Sequence, residues 1–440
     1  MKKKYRIILY TSIFLLCVVA SIILVVKKSN SVYEEESKPK VVKHKSMLSM
    51  NLEQTAGSGD YKTVTQSSWP TEGYKFNAEL SKCENGSTLS WDDTKKAVIM
   101  QGNVSDKCYV YFDILIPSIA DYCTSGTDLA TCVKNFGDQG PSVSNIYIHN
   151  SSLTNGAGDN SYRYAGANPN NFVCFGSDAS PCPIDNLYRI IGVFGENYHG
   201  ANGKQLVKLI KYDYMTTDEL GTDGDYSQTY KEWGMDSTYK GTYGDGERIG
   251  VYYWNYKATG SATNTWSTSL LNKTNLNTNF INNIGTTWAN KIATVTWKVG
   301  GNTWANIGTK TSSVAYTNEI TNPVTTNTTD NATTYSAKIG LMYVSDYGFA
   351  ASPDAWTLTM SSYNNTTATN NNWMYMGLYE WTISRDAVSS RDAFGVDRGG
   401  GVDGYGVYDD DDGVRASFNL ESSVSYVSGS GSMSDPIVIN

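Results

Sequence analysis

A segment near the C-terminus, residues 385–412, combines side chains that proteins use to recognise other molecules without reacting with them. Arginines offer fork-like hydrogen-bond donors, tyrosines offer rigid amphipathic rings, and glycines let the backbone adapt, a mixture similar to that of antibody loops. We therefore predict a ligand-binding surface made of Arg385, Asp386, Arg391, Asp392, Asp397, Arg398, Asp403, Tyr405, Tyr408, Asp409 and Asp410.

The four consecutive aspartates at 409–412 also raise the question of a calcium site, because Ca²⁺ prefers oxygen ligands. An EF-hand loop alternates its ligands around a turn glycine and ends in a bidentate glutamate. With Gly413 as that glycine, Tyr408 stands at the first ligand position and Asn419 at the last, so the pattern is broken. We predict no cofactor, and an irregular Ca²⁺ site stays an open alternative.

Catalytic patterns are missing from the sequence. Neither GxSxG nor HExxH occurs, and the C-terminal half of the chain has no cysteine. His149 and His199 lie in polar, turn-like sequence, which is typical of ordinary surface histidines. We predict that the protein is not an enzyme.

Two alternatives stay open, a cell-wall-acting enzyme and a structural envelope protein. An enzyme would need a buried acidic pair in a cleft, so the positions of Asp346, Asp386, Asp403 and Arg415 would distinguish it from a binding protein. For Arg415 we favour a structural role, as an ion-pair partner at the base of the segment 385–412.

Six cysteines follow the first 28 residues, and their even number suggests disulfide bonds. They allow fifteen pairings, and sequence proximity favours three short loops, each stabilising the fold by about 2–4 kcal/mol. A metal site is disfavoured because no CxxC pair occurs. The favoured pairs are Cys83–Cys108, Cys123–Cys132 and Cys174–Cys182.

The N-terminus has the pattern of a membrane anchor. Basic residues at positions 2–6 precede an uninterrupted apolar run at 7–26, and Lys27 and Lys28 follow it. Twenty helical residues span about 30 Å, the thickness of the hydrocarbon core of a bilayer. The short basic tail predicts an N-terminus in the cytoplasm and the bulk of the chain outside the cell.

Two other interpretations of this run are weaker. The run is longer than the core of a usual signal peptide, and no small-x-small cleavage site follows it. Cys17 could be a lipid-attachment cysteine, but Leu16 precedes it where that processing needs a small residue.

Composition and length suggest several units rich in strands. The 32 tyrosines, with abundant Thr, Ser, Asn and Gly, suit strands and turns, and the net charge of −8 argues against a nucleic-acid partner. We predict a cytoplasmic tail and transmembrane anchor at 1–28, a tether at 29–46, a small disulfide-stapled β-sandwich at 47–115, a linker with a short helix at 116–144, and an α+β domain at 145–440.

Apolar runs predict the main elements of the last domain. Residues 187–194 and 204–214 read as adjacent strands, and residues 266–288 as one or two short helices. Residues 338–350 read as a buried strand followed by an Asp-containing turn, and residues 371–384 as a pair of aromatic strands.

Several sequence motifs in residues 145–440 resemble those of an uncharacterised family of surface proteins from gut-dwelling Gram-positive bacteria. They are NLYRIIGVF, the W…LN…FI…W run that leads to WKVGG, IGLMYVSDYGFA, WMYMGLYEWTIS and GVRASFNL, and together they cover most of this domain. In that family the last of these motifs usually has proline after arginine, and this chain has Ala416 at that position. The resemblance implies a location at the cell surface.

A second resemblance lies in the Trp-x-x-Ser strand, the irregular Gly/Asp-rich segment and the Gly-Val-Arg-x-x-Phe that follows. This order looks like the C-type-lectin-like fold of formylglycine-generating enzymes and of the variable proteins of diversity-generating retroelements. The former use cysteines near the C-terminus, and here none follows Cys182. The latter display a loop hypermutated at adenines, and changing the two adenines of an Asn codon can produce every residue at 384–412.

The sequence thus predicts a β-rich α+β protein with an N-terminal transmembrane helix, a small β-sandwich and a C-type-lectin-like domain. Its expected function is adhesin-like binding of an extracellular protein or glycan through the segment 385–412. The second resemblance implies that this loop is a candidate for diversification by mutation at adenines. The expected location is the cell membrane, with one span and the bulk of the chain outside.

Overall fold

The computed structural model describes residues 48–440 except 66–67, 71–72, 104, 196–197, 257–262 and 324–331. The described chain is a mixed α+β protein that is rich in strands and has several sheets, which confirms the predicted fold class at this level. The chain divides into two compact units, the first ending at Ile116 and the second spanning Pro117–Asn440.

The predicted cytoplasmic tail and anchor at 1–28 and the tether at 29–46 lie outside the described residues. Within the residues that are described, none of the helices has both the length and the apolar composition needed to cross a membrane.

The first unit contains a four-stranded sheet and a separate hairpin. The sheet has the order β2-β1-β6-β3, and β4 pairs with β5. The rings of Phe76 in the sheet and Trp91 in the hairpin both meet Phe112, at centroid distances of 5.9 and 5.7 Å. The strands are β1 (Leu48–Glu53), β2 (Tyr61–Val64), β3 (Tyr74–Cys83), β4 (Thr88–Asp92), β5 (Ala97–Gln101) and β6 (Cys108–Ile114).

All three predicted disulfide pairs are confirmed. Cys83 and Cys108 lie directly opposite each other in the β3–β6 ladder, with their Cα atoms 4.0 Å apart. In the second unit, the corresponding Cα distances are 5.1 Å for Cys123–Cys132 and 5.8 Å for Cys174–Cys182.

The second unit has a large apolar core with strands and short helices around it. Five tryptophans are fully buried in it: Trp254, Trp266, Trp297, Trp356 and Trp381. The strands are β7 (Ile146–Ile148), β8 (Tyr162–Tyr164), β9 (Phe172–Cys174), β10 (Leu187–Phe194), β11 (Leu206–Lys211), β12 (Tyr226–Thr229), β13 (Gly250–Tyr253), β14 (Val295–Lys298), β15 (Thr334–Ala337), β16 (Ile339–Gly340), β17 (Glu380–Arg385), β18 (Asp392–Val396), β19 (Val402–Gly406), β20 (Asp411–Gly413), β21 (Ser417–Asn419), β22 (Tyr426–Ser428) and β23 (Val438–Ile439).

The helices of this unit are short. The α-helices are α1 (Leu129–Gly137), α2 (Pro141–Ser144), α3 (Thr217–Leu220), α4 (Tyr230–Trp233), α5 (Ile281–Ala289), α6 (Ser312–Tyr316), α7 (Val344–Ala350) and α8 (Thr366–Asn370). The π-helical segments are Leu271–Phe280 and Thr317–Thr321. The 3₁₀ turns are Ile119–Asp121, Ile184–Asn186, Tyr198–Gly200, Trp266–Thr268, Trp304–Asn306, Pro353–Thr357 and Met360–Tyr363.

One sheet has the order β16-β21-β11-β10-β8-β7, and β9 also pairs with β10. The two strands predicted at 187–194 and 204–214 are β10 and β11, which pair antiparallel. Every residue of both strands is buried, as their nearly continuous apolar runs suggest. The helices predicted at 266–288 are confirmed as a 3₁₀ turn, a π-helical segment and α5.

The sequence predicts a linker at 116–144, and from Pro117 onward these residues belong to the second unit. The short helix expected there is α1, and the Asp128 side chain accepts a hydrogen bond from the Thr131 N–H at its start. Cys132, Val133 and Phe136 on its inner face are buried in the core of this unit. The burial of this apolar face is the physical reason why the segment is not a free linker.

Two local predictions were wrong. The turn expected within 338–350 is α7, whose start is capped because the Asp346 carboxylate accepts from the Tyr343 N–H at 3.0 Å. The strand pair expected within 371–384 is one strand, β17. The Asn372 side chain there bonds to the Met374 N–H and the Tyr347 carbonyl, which holds this stretch in an irregular conformation.

Candidate recognition surface

The segment 385–412 departs from the predicted displayed loop because nearly half of its residues belong to strands. It contributes β18, β19 and part of β20 to a sheet with the order β12-β13-β20-β17-β18-β19. Phe394, Val402 and Val407 are buried, so the apolar residues between the glycines and aspartates anchor the segment to the core. Beyond β19, no further strand pairs with this sheet among the described residues.

The predicted site residues have different exposures. Arg391, Asp403, Asp409 and Asp410 are exposed, and Arg385 is buried. The partly exposed ones are Asp386, Asp392, Asp397, Arg398, Tyr405 and Tyr408.

The prediction for Arg385 needs correction. Only 2% of this residue is exposed, and its Nε donates to the Val299 carbonyl at 3.1 Å. Burial lowers the pKa of its guanidinium to about 10. The side chain therefore braces the interior, out of reach of a ligand at the surface.

Several of the aspartates hold turns together. Asp397 Oδ1 accepts from the Gly401 N–H at 3.0 Å, and Asp410 Oδ2 accepts from the Gly406 N–H at 2.6 Å. Asp386 accepts from two amides of the turn that follows it. The Asp410 contact caps an amide of the edge strand β19, a device that discourages pairing with another chain.

Tyr405 lies across the neighbouring strand rather than pointing freely into solvent. Its ring centroid is 5.7 Å from that of Tyr379 and 6.2 Å from that of Trp381, both in edge-to-face arrangements. Gly395 lies under this ring, and a Cβ there would come within 2.9 Å of Tyr405 Cδ2. The missing side chain of Gly395 is thus what lets the ring cross β18.

Arg398 joins this group through its flat guanidinium. The guanidinium carbon is 5.4 Å from the ring centroid of Trp233 and 5.2 Å from that of Tyr379, and Nη1 is 3.4 Å from Asp236 Oδ2. Cation–π contacts of this kind hold a partly exposed arginine in place. We call the set Trp233, Tyr379, Arg398 and Tyr405 the aromatic patch.

Sequence reasoning missed Trp233, Tyr379 and Asp236. The sequence contains one sign of Trp233: this tryptophan stands in the polar stretch KEWGMDS, whose neighbouring residues do not predict that a large ring is buried there. In the structure Trp233 is partly exposed, and its ring lies against those of Tyr230 and Tyr379.

A second group of rings lies beside the aspartate run. The guanidinium of Arg391 is 5.7 Å from the ring centroid of Tyr408. Tyr253, which pairs with Asp411 in the β13–β20 ladder, stacks on Tyr256 with their centroids 4.7 Å apart. These contacts extend the arginine, tyrosine and aspartate chemistry beyond the aromatic patch.

The two histidines are not surface residues, which corrects the expectation from the sequence. Both are fully buried. His199 Nδ1 lies 3.1 Å from Lys208 Nζ, and Lys208 forms an ion pair with Asp346 at 2.6 Å. Burial lowers the pKa of His199 well below its usual value, and the neighbouring Lys208 lowers it further.

Of the four residues chosen to distinguish an enzyme from a binding protein, two lie in the core and two lie toward the surface. Asp346 faces Lys208, and Arg415 forms a buried ion pair with Glu380. Asp386 is partly exposed and Asp403 is exposed.

A pocket of about 370 Å³ lies elsewhere in the second unit. It includes Asp159, which is buried and forms an ion pair with Arg163 at 2.6 Å. Among the described residues, no three or more His, Cys, Asp or Glu side chains are grouped so that they could hold a metal ion. The pocket is lined by Lys134, Asp159, Asn160, Tyr162, Val193, Gly195 and Gln205.

Comparisons with protein-family models, curated proteins and solved structures found no match to this chain.

Proposed function

We propose that this protein is a membrane-anchored, extracellular, adhesin-like protein that binds a ligand through the aromatic patch and the exposed residues around it. The observation that carries the proposal is the set of partly exposed rings of Trp233, Tyr379 and Tyr405, of which the first two hold Arg398. Tryptophan, tyrosine and arginine are the residues that most often dominate binding energy at interfaces.

Rigid mounting is an advantage for such a surface. Tyr379 and Tyr405 are held by strands or their immediate flanks, and Arg398 is fixed by two rings and Asp236. Side chains that are ordered before binding lose less conformational entropy when a ligand arrives. The surface is therefore better suited to binding than a mobile loop of the same composition.

The cellular location rests on two features. The apolar run at 7–26 between basic residues has the length of a membrane-spanning helix. The three cysteine pairs suit an oxidising compartment outside the cytoplasm, where disulfide bonds persist. Together they support a single-span protein whose N-terminus is cytoplasmic and whose bulk is extracellular.

For the second unit we propose a C-type-lectin-like fold. We also propose that it belongs to the bacterial surface-protein family whose sequence motifs it resembles. Support comes from WMYMGLYEWTIS and GVRASFNL, which flank the segment 385–412. This part of the proposal includes diversification at Asn codons. It requires a template copy in the genome that differs from the gene only at adenines.

Binding is proposed rather than catalysis because three of the four charged residues considered as catalytic candidates already have structural partners. Asp346 pairs with Lys208, and Arg415 pairs with Glu380. The Asp386 carboxylate holds its own turn. An acid–base mechanism needs groups that are free to exchange protons with a substrate.

The test is binding of the full chain, solubilised in detergent, to arrays of glycans and of extracellular proteins. The comparison protein carries Trp233→Ala, Arg398→Ala and Tyr405→Ala together. The control is Tyr109→Ala, a tyrosine-to-alanine change in the first unit. We expect binding by the wild type and the control and its loss in the triple variant; equal binding by all three proteins would refute the proposal.

The location has a separate test. Cell fractionation should recover the full chain with membranes, and protease added to intact cells should digest it from outside. Recovery of the chain in the cytosol would overturn the proposed anchor.

A further inference from the structure

Asp412 is a buried carboxylate that lacks the partners its neighbours have. It lies in β20, 1% of the residue is exposed, and Oδ2 has no hydrogen-bond partner in the described chain. A buried charge without a partner is costly, so proteins normally pair it or leave it protonated.

Comparison with the other buried carboxylates makes Asp412 distinctive. Each of the others accepts a hydrogen bond or pairs with a cation in the structure. They are Glu53, Asp106, Asp159, Asp213, Asp225, Glu319, Asp346 and Glu380.

The surroundings of Asp412 are negative rather than positive. Burial raises the pKa of Asp412 well above its usual value, and the charges of Asp410, Asp411 and Glu380 raise it further. These surroundings favour the protonated form of Asp412 in the free protein and supply no cation, whereas Glu380 one strand away has Arg415.

The strand register places Asp412 beside the aromatic patch. It lies directly opposite Tyr252 in the β13–β20 ladder, so the two side chains share a face of the sheet. Gly413 pairs with Glu380 in the parallel β20–β17 contact, which brings the preceding residues, Asp412 and Tyr379, side by side. Tyr379 is a member of the aromatic patch.

We infer that the ligand of this surface presents a primary ammonium group to Asp412, and that it is a protein segment with an exposed lysine. The inference rests on the proposed function, whose ligand class it narrows. The charge of the surface favours a cationic partner, because its exposed carboxylates include Asp403, Asp409 and Asp410.

Tyr405 marks the place where the ammonium group would enter. It stands on the edge strand β19 and is partly exposed, with its ring against those of Tyr379 and Trp381. Burial raises the pKa of Tyr405, and the charges of Asp397 and Asp412 raise it further, which places its hydroxyl in the field of these carboxylates. An ammonium group entering there would meet rings on its sides and a carboxylate below, an arrangement that favours cations.

The test uses two peptides, acetyl-Gly-Lys-Gly-amide and the same peptide acetylated on the lysine Nζ, with the full chain in detergent. Affinities are measured by NMR titration at constant salt. We expect the wild type to prefer the free lysine by about tenfold, since acetylation removes the charge. Asp412→Asn should abolish the preference, and the control Asp178→Asn, at an exposed aspartate outside the segment 385–412, should retain it.

Thermal unfolding separates a ligand role from a structural one. Asn has nearly the same shape as the carboxyl group and cannot ionise, so Asp412→Asn should melt at the same temperature as the wild type or above it. A lower melting temperature would mean that the carboxylate supports the fold, and it would overturn the inference. So would a wild type that does not prefer the free lysine, or an Asp412→Asn variant that does.

The array experiment distinguishes this failure from failure of the proposed function. If an array partner binds through the aromatic patch but lysine acetylation of that partner changes nothing, the inference fails and the proposed function stands. If no array partner binds, the proposed function fails whatever the peptides show.

Discussion

Arg415 and Glu380 form a two-point ion pair inside the second unit. Arg415 Nε lies 2.8 Å from Glu380 Oε1, and Nη2 lies 2.8 Å from Oε2. Both residues are at most 2% exposed, and Nη2 also donates to the Met374 carbonyl at 2.6 Å. Because Glu380 begins β17 and Arg415 follows β20, the pair fixes both ends of the segment between these strands.

Breaking this pair from one side should be severe. Arg415→Met leaves the Glu380 carboxylate buried without its cation, which typically costs about 3–5 kcal/mol. We expect a large drop in the urea midpoint of the second unit. The double variant Arg415→Met with Glu380→Leu removes both charges and should recover most of the loss. A single variant as stable as the wild type would contradict this account.

The ring of Tyr405 depends on the absence of a side chain at Gly395. A Cβ there would lie 2.9 Å from Tyr405 Cδ2 and 3.0 Å from the Glu380 carbonyl oxygen. Gly395→Ala should therefore displace the ring, cost about 1–3 kcal/mol in unfolding free energy and weaken ligand binding. The matched control is Gly404→Ala on the adjacent strand, where a Cβ meets nothing within 4 Å. Equal effects of the two changes in urea unfolding would argue against the crossing geometry.

The disulfide of the first unit should matter for that unit alone. Cys83 and Cys108 are 25 residues apart, and a loop of that length corresponds to about 3–4 kcal/mol of stabilisation in the chain-entropy account. We expect the double change to serine to make residues 48–116 sensitive to limited proteolysis, while the second unit stays resistant. Resistance of both units would show that the β3–β6 ladder suffices without the bond.

The free energy of unfolding should depend on pH partly through the titration of Glu319. Burial raises the pKa of this carboxyl from 4.5 to about 7, although hydrogen bonds from Ser384 and Ser345 oppose the shift. Between these values the folded state holds a proton that the unfolded state has released. Stability should therefore fall as the pH rises from about 4.5 to about 7, by about 3 kcal/mol from this group.

The measurement is urea unfolding at a series of pH values for the wild type and Glu319→Gln. The variant loses acceptors for the Val344 and Ser345 amides, so it should be less stable throughout. The informative quantity is its pH slope, which should be shallower than that of the wild type. Glu247→Gln, at an exposed glutamate, is the control. Parallel slopes for wild type and Glu319→Gln would exclude Glu319 as the source.

Local sequence predicted the parts of the fold that local physics decides. The apolar runs of β10 and β11 were recognised because both faces of these strands are buried. The three disulfides were recognised because each closes a short loop. Helix α7 was missed because Asp346 looks like a turn residue, whereas it caps the helix and neutralises Lys208, 138 residues away.

The recognition surface was only partly predictable for the same reason. Arg398 and Tyr405 were identified from their types, but Trp233 and Asp236, the partners of Arg398, lie more than 160 residues away from it in the sequence. Arg385 looked exposed within Ser-Arg-Asp, and its acceptor, the Val299 carbonyl, is 86 residues distant. Contacts at such separations come from the tertiary fold, which residue type and spacing do not specify.

The mixture of buried and exposed positions in 385–412 also limits how this segment can evolve. Positions such as Val388, Arg391, Asp403 and Asp409 face outward, whereas Phe394 is locked inside. Mutations scattered evenly over the gene segment would damage folding as often as they altered recognition. Related chains whose sequences differ in this segment should therefore keep the codons of buried residues constant and differ at the codons of exposed residues.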